Sequence, residues 1–269
     1  MEIGVIGIRS KHLLFFREAL SRLYPEGQHR ITHIWGYDAP ELLGDWTDLI
    51  SCPTPEILID AVDAVIIALR DGTQHAALAQ MAIEAGKPVF VDKPFTCSPQ
   101  QAGQLAALCA EKAVLCTGGS TVCFTKEVQQ LKHDLPQQPV YTLSYQADPF
   151  TPFGGWYFYG SHLTDLCVTV FGGDWQSVQA CQKGDRITAV VTYPGFQVTL
   201  RTSRESQPLL LHAGRDYILD DHGCYVAGMA HFINAIEGKE KSNAAELVRS
   251  VALMDAIFTS LREGLPYPG

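Results

Sequence analysis

Apolar positions in the first half of the chain come in short runs separated by stretches of helical periodicity. Glu2 to Ile6 reads as a buried strand broken at Gly7, and Lys11 to Leu23 repeats its apolar residues at helical spacing until Pro25 and Gly27. Ile31 to Trp35 is a second short strand, and Ala61 to Ala68 contains a third. An alanine-rich helix is expected from about Thr73 to Ala85. It leads into Val89-Phe90-Val91-Asp92, a short buried strand that stops at Lys93-Pro94. Ser98-Pro99-Gln100-Gln101 supplies an N-cap, a proline at the first helical position and a capping-box glutamine, so a helix should reach about Glu111. Val114 to Thr117 reads as a fifth strand. Strands alternating with helices at this spacing predict a parallel, doubly wound sheet.

The texture changes near Gly118-Gly119. Thr121 to Asp134 reads as a bridging helix, Val140 to Gln146 as a strand, and Ser161 to Phe171 as a helix. From Ser177 to Leu219 apolar and polar residues alternate in strand-length pieces divided at Lys183-Gly184-Asp185, Pro194-Gly195 and Gly214, the pattern of antiparallel sheet. Tyr225 to Glu237 is helical, and Ser242-Asn243-Ala244-Ala245-Glu246 caps a last helix that ends before Gly264. The expected fold is α/β: an N-terminal Rossmann doubly wound parallel sheet over residues 1–119, then a C-terminal α+β domain with an open, mostly antiparallel sheet over residues 120–269.

Composition narrows the function classes. The 269 residues are 46% hydrophobic, enough for a sizeable core, and the net charge of −9 argues against a protein that tracks nucleic-acid phosphates. No apolar run approaches bilayer length and the N-terminus lacks a basic-then-apolar signal, so a cytoplasmic protein with no membrane partner is expected. Eight cysteines are scattered without a Cys-x-x-Cys pair, as small buried residues of a reducing compartment. His222, Cys224 and His231 offer metal-ligand types without the close ligand pairs of a zinc site, and no metal is expected.

The chemistry gathers at two places. Pro94 lacks a backbone donor and biases Lys93 toward an extended conformation, so the strand should aim an ammonium outward from its carboxyl end, where open α/β sheets bind ligands. At the first strand's end, Gly7-Ile8-Arg9-Ser10-Lys11-His12 stands where a dinucleotide fingerprint wants Gly-x-Gly-x-x-Gly. Only Gly7 survives; Arg9 and His12 fill the other two glycine places. Backbone N–H groups of Gly7, Ile8, Arg9 and Ser10 before a helix still suit a pyrophosphate, and Arg9 or Lys11 adds charge. A plain strand-to-helix turn is the competing reading.

The run Asp63 to Ala68, the helix containing His75, and Ala85-Gly86-Lys87-Pro88-Val89-Phe90-Val91-Asp92-Lys93-Pro94-Phe95 together resemble the Gfo/Idh/MocA family of nicotinamide-dependent sugar and cyclitol oxidoreductases. The resemblance covers nearly the whole chain. Asp92 stands where the family usually has glutamate before Lys-Pro. The resemblance implies NAD or NADP as cofactor, with Asp92 and Lys93 beside it and Ala68, Leu69 and His75 near the nicotinamide ribose. Arg70 replaces a usual proline, either paired with Asp71 in solvent or facing a ligand. The acidic residue that holds the adenosine ribose aligns with Asp38, or with Gly36 on an ungapped alignment, which leaves room for a 2′-phosphate.

In the second half, Gly154, Gly160, His162 and Asp165 fit the family's second-domain motif, whereas Phe158 stands in place of its aspartate. The resemblance implies catalysis by Lys93, polarising a substrate oxygen, and His162, exchanging a proton near neutral pH. Trp156, Tyr157, Tyr159 and Asp165 are candidate substrate residues, although the aromatic run equally suits an interdomain core. Tyr157 or Tyr159 is a candidate donor in place of the missing carboxylate. The expected activity is hydride transfer to or from a hydroxyl or carbonyl carbon of a sugar-like or other small polyhydroxylated molecule. A non-enzymatic ligand- or cofactor-binding regulatory relative is the rival, and a reductase of flat conjugated compounds a second. Fold analogy adds a homodimer or homotetramer through the C-terminal sheet.

Overall fold

The computed structural model describes residues 1–37, 39–205, 208–219 and 223–268. The first half alternates strands and helices: β1 (Glu2–Ile6), α1 (His12–Leu23), β2 (Arg30–Trp35), β3 (Ile50–Ser51), α2 (Pro55–Ala61), β4 (Ala64–Ile67), α3 (His75–Glu84), β5 (Val89–Asp92), α4 (Pro99–Lys112) and β6 (Cys116–Gly119). The strands lie in the order β3-β2-β1-β4-β5-β6 and every pairing is parallel. All residues of β4 and β5 are buried, as helices on both faces require of a parallel sheet. The strand order reverses between β1 and β4, which opens a crevice at their carboxyl ends.

Three local outcomes differ from the sequence pattern. The short edge strand β3 and helix α2 were not anticipated, although Thr54-Pro55 is a capping signal: the Thr54 hydroxyl accepts the Ile57 amide at 3.4 Å. Strand β6 starts two residues later than its apolar run, because Ala113 turns left-handed and the Val114 amide still donates to Cys109 O of α4 at 3.1 Å. The bridging helix divides into a 3₁₀ turn, Thr121–Phe124, and α5 (Lys126–Asp134), since Thr125 is extended and caps Val128.

The second half holds β7 (Val140–Gln146), α6 (Tyr157–Phe171), β8 (Ser177–Lys183), β9 (Arg186–Tyr193), β10 (Phe196–Ser203), β11 (Leu210–His212), β12 (Asp216–Ile218), α7 (Cys224–Ile236), α8 (Ala244–Glu263) and β13 (Tyr267–Pro268). Its sheet runs β12-β11-β7-β10-β9-β8-β13, with β7–β10 as the parallel pair and the other pairings antiparallel. Ile187, Ala189, Val191 and Tyr193 alternate inward along β9 onto a core shared with α6 and α8. Helix α6 begins four residues before the Ser161 start expected from the sequence, because a turn at Gly154-Gly155 already directs the Gly160 amide onto Trp156 O at 2.7 Å.

Two C-terminal helices lock the sheets together. Met229, Phe232 and Ile233 of α7 pack with Leu13, Phe16 and Leu20 of α1 and with Phe90 of β5. Within the capping run Ser242–Glu246, Asn243 turns its amide to β6: it accepts from Gly118 N at 3.2 Å and donates to Gly118 O at 3.0 Å. Ser242 supplies the cap, its hydroxyl accepting the Ala244 amide at 3.0 Å. Among the described residues no helix is long and apolar enough to cross a membrane.

Candidate active site

Lys93 follows β5 directly, joined to Pro94 by a cis peptide bond, and is 2% exposed. Its Nζ donates to Phe158 O at 3.2 Å and lies 3.8 Å from the centre of the Phe158 ring and 5.1 Å from that of Tyr159. The α6 start is thus brought onto the end of β5. Burial pulls the ammonium down from its usual 10.5 to about 8; Asp92 and Asp165 oppose this and Arg70 reinforces it. A lysine in this state is an ammonium at neutral pH that gives up its proton a little above it.

Asp92, the last residue of β5, is 4% exposed and accepts a short hydrogen bond from the His12 ring at the start of α1. Burial alone would push its carboxyl up, yet His12 and Lys93 together hold it at about 2. The residue in the third glycine place of the fingerprint therefore packs helix to strand by a hydrogen bond to a buried carboxylate. Its ring also meets Tyr225 of α7 at 5.2 Å.

His162 enters from α6, one turn after Phe158. Its Nδ1 is 2.7 Å from Ser120 Oγ, just past β6, and its ring lies 5.4 Å from Tyr145 and 6.2 Å from Tyr159. Burial and the neighbouring Lys93 charge hold the imidazole well below its ordinary range, so it is neutral at pH 7. The titration expected near neutrality moves to the acid side. Asp165, one turn further, anchors this arrangement: it accepts the Ser120 amide at 2.7 Å and the Ser250 hydroxyl of α8. Burial raises its carboxyl to about 6 despite those bonds. It is 6% exposed and serves the junction of β6, α6 and α8 rather than a substrate.

The crevice at β1 and β4 has the build of a dinucleotide floor. Gly7 has φ +99° and a Cβ there would stand 2.6 Å from Leu69 N, so the two strand-end loops touch backbone to backbone. A Cβ on Gly36 would meet Ile8 at 2.3 Å, so the Ile8 side chain fills the space beside the end of β2. Arg9 does not lie across the turn: the residue is exposed and its guanidinium bonds Glu41 at 3.2 Å. At the N-terminus of α1, Ser10 Oγ accepts the His12 amide at 3.2 Å. Backbone N–H groups before a helix N-terminus suit a phosphate, and the turn from Gly7 into α1 fits a pyrophosphate.

Other expectations change. Trp156 is 1% exposed, its Nε1 donates to Thr202 Oγ1 at 2.7 Å, and it belongs to the second sheet's core. Tyr157 stacks on Phe258 of α8 at 4.4 Å, and burial pushes its phenol up to about 12. Neither faces Lys93; of the aromatic run Phe158 and Tyr159 do. His75 is fully buried, with Nδ1 2.7 Å from Pro94 O and Nε2 2.9 Å from Leu69 O. It pins the loops after β4 and β5 together instead of reaching a cofactor. Ala68 and Leu69 are likewise buried, leaving their backbone to line the crevice. Asp71 does not pair with Arg70; it caps Thr73 and accepts from Gln74. Asp38 and His222 lie outside the described residues. Cys224 begins α7 and His231 lies two turns along it, between Glu240 and Thr117. The functional neighbours missed in the sequence are His12, Ser120 and Phe158. His12 and Phe158 were visible as departures from a motif, whereas nothing local marks Ser120.

Among curated proteins, the uncharacterized oxidoreductase YdgJ of Escherichia coli (strain K12) is 27% identical over 207 residues, 66% of this chain and 60% of that protein. UDP-N-acetylglucosamine 3-dehydrogenase of Acidithiobacillus ferrooxidans is 29% identical over 100 residues, 37% of this chain and 32% of that protein. The matches thus span less than two thirds of either relative's length. The solved structure of UDP-N-acetylglucosamine 3-dehydrogenase GnnA from Acidithiobacillus ferrooxidans superposes with a TM-score of 0.80 at 19% identity, covering 98% of both chains. Other solved structures of this fold hold NAD or NADP. Residues 1–120 match the model of the oxidoreductase family with an NAD-binding Rossmann fold. Over that stretch, somewhat under half of its length, the chain is similar to the Gfo/Idh/MocA oxidoreductases.

Proposed function

We propose that this protein is a nicotinamide-dependent oxidoreductase acting at a hydroxyl or carbonyl carbon of a sugar-like or other small polyhydroxylated substrate. The observation that carries the reading is the meeting of Lys93 at the end of β5 with Phe158, Tyr159 and His162 of α6, at the mouth of the crevice. NAD or NADP would rest its pyrophosphate on the backbone of residues 7–10 and supply the hydride chemistry that no side chain performs.

The chain's own residues do the remainder. Lys93, an ammonium at neutral pH, donates to the substrate oxygen and stabilises the negative charge that develops on it. His162 is neutral there; with Nδ1–H donating to Ser120 Oγ, its Nε2 is free to take the hydroxyl proton in oxidation and return it in reduction. Asp165 holds Ser120, and so the imidazole's orientation. Tyr159 walls the same space. Before a substrate oxygen can reach Nζ, Phe158 has to yield its contact with Lys93.

That last requirement favours a second reading: a cofactor- or ligand-binding protein in which Phe158 permanently seals Lys93. One experiment separates the two. The purified protein is titrated with NADH and NADPH by nicotinamide fluorescence, then assayed with each oxidised cofactor against a panel of sugars, cyclitols and sugar acids. Micromolar cofactor binding with substrate-dependent reduction supports the enzyme. Binding without turnover on any panel member supports the second reading in its cofactor-binding form, and no binding at millimolar cofactor defeats the enzyme and leaves the ligand-binding form.

A further inference from the structure

Arg70 follows β4 by three residues and reaches toward the α6 side of the cleft. Its guanidinium carbon lies 4.6 Å from the centre of the Phe153 ring, and Phe153 in turn packs 5.6 Å from Phe158, the ring that covers Lys93. Its Nε is buried and has no hydrogen-bond partner. Among the described residues no carboxylate pairs with it: the adjacent Asp71 is spent on Thr73 and Gln74. Among the described residues Lys93 also has no direct ion pair, its Nζ donating to a carbonyl. The near carboxylates are engaged too, Asp92 by His12 and Asp165 by Ser120 and Ser250. Two cations thus stand on touching aromatic rings at one cleft, and a buried guanidinium donor without a protein partner is one that a ligand or a water has to satisfy.

We infer that Arg70 holds an oxyanion of the substrate, so that the cleft takes an anionic polyol, a sugar or cyclitol bearing a carboxylate or a phosphate. This rests on the oxidoreductase reading and deepens it. The planar guanidinium offers paired N–H donors that match either group, and its seat on Phe153 fixes their direction. Lys93 then meets the oxygen at the reacting carbon while Arg70 grips the charged end. A neutral sugar of the same shape leaves the guanidinium unsatisfied.

The test compares ligands that differ only in charge. Glucuronate, galacturonate and glucose 6-phosphate are titrated against glucose and galactose by calorimetry with the NADH-loaded protein, in wild type, Arg70→Gln and Arg70→Lys. The expected result is that at least one acid binds about 10- to 100-fold tighter than its neutral counterpart, the scale of a charge-assisted hydrogen bond. Arg70→Gln should erase that gap and Arg70→Lys restore part of it, with NADH affinity unchanged in both. Whether uronate or phosphate prevails identifies the oxyanion. The inference is overturned if no acid binds at millimolar concentration, if the gap survives Arg70→Gln, or if that variant weakens NADH as much as the acid, which would give Arg70 to the cofactor. An acid that binds but reduces neither NAD+ nor NADP+ when the oxidised cofactor replaces NADH sinks the oxidoreductase reading alone. Turnover of neutral sugars only sinks the inference and leaves that reading standing.

Discussion

Replacing Lys93 with methionine should make the protein more stable and nearly inactive. The lysine is 2% exposed, and burial lowers its ammonium from 10.5 to about 8. At pH 7 the folded state therefore holds a charge it would rather release. At about 1.4 kcal/mol per pKa unit, the displacement corresponds to roughly 3 kcal/mol of instability. The Phe158 ring at 3.8 Å returns about 1–2 kcal/mol through its cation–π contact. The Phe158 carbonyl, deprived of Nζ, keeps the Ser161 hydroxyl at 3.4 Å. Met fills a similar volume without a charge, so a net gain of about 1–2 kcal/mol is expected at pH 7. The pH dependence distinguishes this from general improvement of packing. Between about 8 and 10.5 the unfolded lysine binds a proton that the folded one has lost, so wild-type stability should rise with pH across that window. The Lys93→Met curve should lack that rise, so wild type overtakes its lead within the window. Urea denaturation at fixed pH steps measures this, and turnover should fall about 100- to 1,000-fold. A variant no more stable than wild type at pH 7, with the same pH slope, would refute the buried-charge reasoning; unchanged turnover would remove Lys93 from the mechanism.

Asp165→Asn should flatten the wild-type loss of stability as pH climbs from about 4 to 6, where the unfolded carboxyl ionises before the folded one; retention of that slope in chemical denaturation would acquit Asp165. His162→Asn should lower turnover by about 100-fold or more and remove an acid-side limb, well below pH 6.5, from the rate profile of wild type; an unmoved profile would reassign the proton transfer to Tyr159. His12→Ala leaves the Asp92 carboxylate buried beside Lys93 without its partner, so about 1–3 kcal/mol of stability should be lost. Pairing it with Asp92→Asn in a double-mutant cycle should recover much of that loss, and strict additivity would show that the pair does not interact.

Much of the first sheet was legible because a parallel sheet buried on both faces writes itself as apolar runs, and β1, β4 and β5 are buried throughout or nearly so. The hairpins of the second sheet were legible from period-two alternation and from turns at Gly184, Gly195 and Gly214. Lys93 could be placed for a similar reason: a strand that ends at Lys-Pro puts its lysine at the carboxyl edge whatever surrounds it. Element starts and ends fared less well, because α6 and β6 are set by backbone bonds made outside the apolar run.

What sequence reading could not supply is what each polar side chain faces. His12 and Asp92 are 80 residues apart, Ser120 and His162 42 apart, and Lys93 and Phe158 65 apart. Local spacing carries no information about such pairs. His75 and Arg70 make the point in opposite directions. The histidine fits a ligand motif, yet its ring is closed between two carbonyls of the chain itself. The arginine, which a neighbouring Asp71 had every local reason to neutralise, is left with a buried donor and no partner. The order of residues determined which groups stand at the ends of strands. Only packing α6 onto β5, with α7 and α8 closing around them, decided which of those groups are satisfied and which still await a ligand.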